Sequence, residues 1–278
     1  MKNVLIPVDF SDNSINAIDY AEAFFTNTPI NFYLLGVYIS SPSKLMSDGY
    51  NKGWLEKMDD TISEDLDHIV EKYNSKSNLK HKYIAITIAD TLINALKKVI
   101  NDKAINLIVS GTKGASGLRE IFIGSNTLKM INHINNCPIL VVPNGYKFAN
   151  IHQIVFSTNY KRKFNLQELK GLIKIAVLHS ATIEVVQLIS ENFLTDTQKS
   201  NKADLQSFLE DFEFNFNKLN WDNSETKTIQ NHIINTNSEL LALINHKHNF
   251  FNKLTEENVI KKVSFHSSIP ILIMPDIS

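Results

Sequence analysis

Cysteine is almost missing from this chain: Cys137 is the single one among 278 residues. A lone thiol excludes an intramolecular disulfide and any cysteine-rich zinc site. Set before Pro138 beside an apolar run, it reads as a buried structural residue. An excess of charge of either sign is missing too. Basic and acidic residues stand at 15 to 15 over 1–147 and 13 to 14 over 148–278. Neither half therefore carries the basic surplus of a general nucleic-acid binder. No apolar run approaches the roughly 20 residues needed to span a bilayer. The opening MKNVLIPVDF is broken by Pro7 and Asp9 before a signal-peptide core forms. The expectation is a cytoplasmic chain with neither nucleic acid nor membrane as a partner.

Glycine is scarce, and its placement is uneven. Of nine glycines, eight lie in the first half, and four of those fall within 110–131, SGTKGASGLREIFIGSNTLKMI. Only Gly171 lies in the second half. The nine histidines show no H-E-x-x-H or comparable ligand spacing. His246 and His248, two apart, read as surface or packing residues. In FLEDFEFNFNKLNW, Phe208, Phe212 and Phe216 recur at i, i+4 and i+8, which predicts a helical core stripe rather than a base-stacking platform.

What is present is an alternation of strand and helix signals. NVLIPVDF, INFYLLGVYI, HKYIAITI, AINLIVSG and CPILVVP read as five strands, with amphipathic helices between them. Ser11 or Asp12 caps the first helix, whose Ile15, Ile18, Ala21 and Phe25 stand near helical spacing. Leu128, Ile131 and Ile134 share one face of the last. Such alternation predicts a parallel, doubly wound α/β sheet. The second half repeats the plan: IHQIVFSTNY matches the first strand, setting Asn159 where Asp9 stood, and TIEVVQLI corresponds to FYLLGVYI. NVIKKVSFHSSIPILIMP aligns without a gap on NTLKMINHINNCPILVVP, pairing Pro138 with Pro270 and Pro143 with Pro275, while SGTK falls against INHK. A repeat of this length signals tandem duplication. The join lies near PNGYKFANIHQ, giving domains 1–147 and 148–278.

The two copies part at the glycines. In the first, Gly111, Gly114, Gly124 and Ser125 lie between a buried strand and a helix, where backbone N–H groups approach an anion without a Cβ in the way. Ser125 is expected at the helix N-cap. Lys113 and Arg119 either add positive charge or are solvated loop side chains. In the second copy the turn holds Glu256 and Glu257. Neither a Walker A loop nor a G-x-G-x-x-G fingerprint occurs.

Gly111-x2-Gly114-x9-Gly124-Ser125, after NLIVS and before a helix leading to CPILVVP, resembles the ATP-binding signature of the universal stress protein family. The opening VLIPVDFSDNS resembles that family too, and the likeness covers both halves. It implies two tandem Rossmann-like domains, each a five-stranded parallel sheet of order 3-2-1-4-5, the second degenerate. It implies ATP as ligand, with Mg²⁺ as a companion for which no protein ligand is assignable. By the same resemblance the glycine loop with Ser125 and Asn126 holds ribose and phosphates, Asp9 and Val37 contact the adenosine end, and Pro7 flanks the site. Asp9 also reads as a helix-start residue, and Val37 as simple core. The resemblance further implies pairing through the fifth strands, as an internal pseudo-dimer and in a homodimer.

Three functions follow: a nucleotide-binding stress or regulatory protein, a slow ATPase or phosphotransferase, and a nucleotide-independent scaffold. An enzyme needs a base or water-positioning group near the phosphates. Asp9 is expected at the other end of the ligand, and Glu120 reads as solvated, so no catalytic residue is assigned.

Overall fold

Runs such as LIVSG and ILVV, apolar on both faces, suit strands buried between two helical layers rather than a half-exposed hairpin. In the computed structural model, which describes residues 1–38, 52–76, 78–112, 124–187, 193–219, 225–245 and 268–277, these runs form neighbouring strands of a parallel sheet. The described residues divide into two compact units whose boundary falls between Phe148 and Ala149.

The first unit runs β1 (Asn3–Val8), α1 (Asp12–Phe24), β2 (Ile30–Val37), α2 (Lys52–Asn74), β3 (His81–Ile88), α3 (Leu92–Asp102), β4 (Leu107–Gly111), α4 (Ser125–His133) and β5 (Ile139–Val142). Its strands are parallel in the order β3-β2-β1-β4-β5. The chain reverses its winding between β1 and β4, so their carboxyl ends flank the crevice where such sheets bind ligands. Ile18, Ala21 and Phe25 of the first helical stripe are buried, as are Ile131 and Ile134 of the last. Behind α1, Tyr20 meets Phe148 edge-on at 5.7 Å between ring centroids, which pins the segment after β5 to this helix. Cys137 is buried, its S–H directed at the Ile105 carbonyl 3.8 Å away. Burial pushes that thiol up to about 12.

The second unit runs β6 (Gln153–Ser157), α5 (Leu166–His179), β7 (Thr182–Gln187), α6 (Asp196–Leu209), β8 (Phe214–Lys218), α7 (Glu225–Thr236), β9 (Leu240–Asn245) and β10 (Ile271–Pro275). Its strands are parallel in the order β8-β7-β6-β9-β10, the same 3-2-1-4-5 plan. The segment aligned with α4, together with Glu256, Glu257, His246 and His248, lies outside the described residues.

Three expectations from the sequence are corrected. The phenylalanine stripe is not one helix: α6 stops at Leu209 and Phe216 sits on β8. FEFNFNK carries the period of a strand as well as that of a helix, and strand pairing with β7 decided between them. The second correction concerns register. Thr182 pairs with Gln153 as Asn31 pairs with Asn3, so TIEVVQ stands on NFYLLG, one residue from the sequence alignment. Likewise Leu241 pairs with both Val155 and Ile271, as Ile108 pairs with Leu5 and Ile139. Ile244 thus replaces Gly111, whereas the alignment gave Asn245. A slip of one residue turns every side chain of a strand to the other face. Third, the N-cap of α4 is Gly124, and Ser125 is its first helical residue.

Candidate functional site

Proline in mid-sheet has no N–H to give to a neighbour. Pro7 occupies that position on β1, and the ladder between β1 and β4 ends two residues earlier, at Leu5–Ile108. Past that point the two strands diverge into a cleft of about 530 Å³, within the range of small-molecule sites. Pro7, Asp9, Val37, Gly111, Gly124, Ser125 and Asn126 all line it. Gly114, Lys113, Arg119 and Glu120 lie outside the described residues.

Three helices start at this cleft, and they differ in how their first amides are satisfied. Ser11 caps α1 and Thr91 caps α3, each hydroxyl accepting an N–H three residues on, at 3.4 Å. Gly124 caps α4 with no side-chain bond, and no acidic residue lies in its first turn. Among the described residues nothing bonds the first amides of α4, so its amino end offers N–H groups and a positive partial charge, the arrangement that receives an anion. A serine at the N-cap would itself have bonded those amides. The structural correction at Ser125 thus leaves this end more open to a ligand than the sequence expectation did.

Gly111 has a different reason to be glycine. A Cβ there would lie 2.4 Å from the backbone carbonyl oxygen of Asn13 and 3.2 Å from the Asn13 Cβ. The start of α1 packs directly on the end of β4, and no side chain fits between them. Thr127 of α4 donates to the Gly111 carbonyl at 3.1 Å, and the Thr112 N–H donates to Val142 at 3.1 Å. These bonds join α1, β4, β5 and α4 into one wall.

Asp9 directly follows β1, between the strand and the start of α1. Its Oδ1 accepts from the Ser11 N–H at 3.2 Å and the Ser11 hydroxyl at 2.5 Å. Partial burial alone would raise this carboxyl, but the bonds from Ser11 outweigh it and hold the group below its ordinary value. It is an anion at neutral pH, and an acceptor suited to ligand hydroxyls.

Sequence reasoning missed Asn13, Thr91, Leu92, Ile93, Thr112, Lys129 and Met130, which also line the cleft. The start of α3 carried a signal in hindsight, Asp90-Thr91 before an apolar helical run. Leu35, Val37, Leu92, Ile93 and Met130 supply an apolar surface, against which a flat ring packs. Two polar atoms at the cleft, Asn13 Oδ1 and Thr112 Oγ1, are buried without a hydrogen-bond partner among the described residues. An unpaired buried polar atom costs about 1–3 kcal/mol, so both favour a ligand that brings hydrogen-bonding groups.

Among the described residues, no group of three or more His, Cys, Asp or Glu is placed to hold a metal, and no helix is long and apolar enough to cross a membrane.

The universal stress protein family model matches residues 1–143. Over 156 residues the chain is 27% identical to universal stress protein MJ0577 of Methanocaldococcus jannaschii, covering 51% of this chain and 94% of that protein. Universal stress protein YxiE of Bacillus subtilis is 27% identical over 150 residues, covering 50% of this chain and 97% of that one. In fold, the crystal structure of a universal stress protein from Archaeoglobus fulgidus aligns over 98% of both chains with a TM-score of 0.72 at 14% identity. The chain belongs to the universal stress protein family.

Proposed function

We propose that the first unit binds ATP or a closely related adenine nucleotide and that the protein acts as a nucleotide-responsive stress or regulatory protein. The observation that carries this reading is the pairing, in one cleft, of an uncapped helix start with an apolar surface. A nucleotide brings an anion for the amides of α4 and a flat ring for Leu35, Val37, Leu92 and Ile93. Asp9 accepts from hydrogen-bond donors at the adenosine end. The likeness of Gly111, Gly124 and Ser125 to the ATP-binding branch of the family supports the same assignment.

A Mg²⁺ ion accompanying ATP would be held by phosphate oxygens and water. The one carboxylate among the described lining residues, Asp9, is engaged by Ser11 at the opposite end. No group in the described cleft is placed as a general base for phosphoryl transfer, so the reading is binding rather than turnover. Self-association of the chain is part of the same proposal.

Mass spectrometry of ligand released from freshly purified protein, followed by calorimetry with the nucleotide found, tests the assignment. Binding with single-turnover hydrolysis near background supports it. Rapid hydrolysis abolished by one substitution at the cleft would move the protein among the enzymes, and failure of any adenine nucleotide to bind would leave the scaffold reading. Sedimentation with and without nucleotide checks the self-association.

A further inference from the structure

Helices place cations badly at their amino ends, where the dipole repels them. Lys129 stands one turn inside that end of α4, four residues after Ser125, in a helix of nine residues that has no acid in its first turn. Residues four apart share a helix face, and both Ser125 and Lys129 line the cleft, as do Asn126 and Met130 one position on. Side chains on a helix slant toward its amino end, so a lysine at this position is directed toward the turn that Ser125 opens. The side chain is exposed, and no described carboxylate pairs with it. Among the described lining residues only Asp9 and Lys129 are charged, one on β1 and one on α4.

We propose that Lys129 is a specificity residue through which the cleft reads the phosphate count of its ligand, favouring nucleoside polyphosphates over monophosphates and nucleosides. The proposal rests on the nucleotide reading above. A lysine that serves only solubility would sit equally well on the outer face of α4, away from the cleft. Here a cation one turn into α4, a glycine cap and an acid-free first turn belong to one cleft, and each raises the potential felt by an anion there. A neutral nucleoside gains nothing from that potential, whereas each added phosphate gains more.

The test is calorimetry of the full chain with adenosine, AMP, ADP and ATP at one ionic strength, for the wild type, Lys129→Gln and Lys129→Arg. The wild type is expected to tighten from AMP to ATP. Lys129→Gln should weaken ATP about three- to fivefold, the contribution of one exposed ion pair, and leave adenosine unchanged. Lys129→Arg should restore most of the loss. Equal ATP affinity in wild type and Lys129→Gln, or equal losses for adenosine and ATP, would overturn the role of Lys129 while leaving nucleotide binding in place. A wild type that binds none of the four would overturn both readings together.

Discussion

The turn after β1 and the turn after β6 are the same device put to different use. In each, an Asx side chain accepts the N–H two residues on: Asp9 from Ser11 at 3.2 Å, and Asn159 from Lys161 at 3.1 Å. In each, the aromatic residue between takes positive φ, +60° at Phe10 and +54° at Tyr160. The side chains then part. Phe10 is 38% exposed and Tyr160 only 1%. Tyr160 lies under α6, where Asn201 donates to its carbonyl at 2.9 Å and Gln198 donates to the Asn159 carbonyl at 2.8 Å. The ladder between β6 and β9 also continues to Phe156–Ala242, one pair beyond the point at which Pro7's strand leaves β4. One copy of the fold keeps its strand ends open, and the other spends them on packing. Backbone geometry was thus duplicated while the chemistry at its edge was not.

The sharpest way to break this contrast is to count ligands. One nucleotide per chain is expected by calorimetry, since the second unit has Asn159 for Asp9, buried Ile244 for Gly111, and a packed turn. A stoichiometry of two would show that the packed edge opens to ligand after all.

Next in size is the ion network special to the second unit. Arg162 bonds Glu168, which is 1% exposed, and reaches Asp276 at 2.7 Å, while Glu168 accepts from the Ile277 N–H at 2.8 Å. Arg162→Ala leaves a buried carboxylate without its countercharge, so about 3 kcal/mol of stability should be lost. Chemical denaturation measures the loss, and hydrogen exchange should place it in residues 149–277. An effect under 1 kcal/mol would mean that the carboxylate is served well enough by backbone donors alone.

In the first unit, Gly124→Glu imports the acidic character of the second unit's turn. The backbone there, φ −61° and ψ 155°, suits any residue, so the fold should survive. A carboxylate about 4 Å from a phosphate charge costs roughly 4 kcal/mol at an effective dielectric near 20, before salt and rearrangement reduce it. At least a tenfold loss of ATP affinity is expected, about 1.4 kcal/mol. Unchanged affinity would remove the start of α4 from the site.

The smallest effect concerns the cap that the two turns do not share. Ser11→Ala removes the N-cap of α1 and should cost about 1 kcal/mol. It also removes a donor that holds Asp9 below its ordinary value, so the Asp9 titration followed by NMR should move up. A depressed folded value means that the contribution of Asp9 is present above the unfolded value and fades as pH falls through the folded one. The variant should therefore lose less stability on acidification from neutral pH than the wild type. An unmoved Asp9 titration would contradict this.

Much of this was legible in the residues. Apolar runs marked β1 to β5, and the glycine spacing pointed to the crevice at the β1–β4 switch. Periodicity fell short where two periods coincide, as in FEFNFNK, and where alignment slipped by one, as at Ile244. It also could not see Asn13, Thr91 or Lys129, because a residue's membership of a cleft depends on which helix ends converge there. Gly111 was read as making room for an anion; it lines the cleft, and the sequence could not show that a Cβ there would also meet the Asn13 carbonyl.

That last contact separates two glycines that look alike in the motif. Replacing Gly111 drives a Cβ into main chain, so a library of variants would lose it at the level of protein abundance, whatever the cell supplies as ligand. Gly124 has a backbone conformation open to all residues, so capture of the proposed ligand is the filter expected there. Across related sequences, then, a glycine at the end of β4 testifies to a helix docked on a strand. The glycine before α4 is the one whose place rests on the proposed ligand alone.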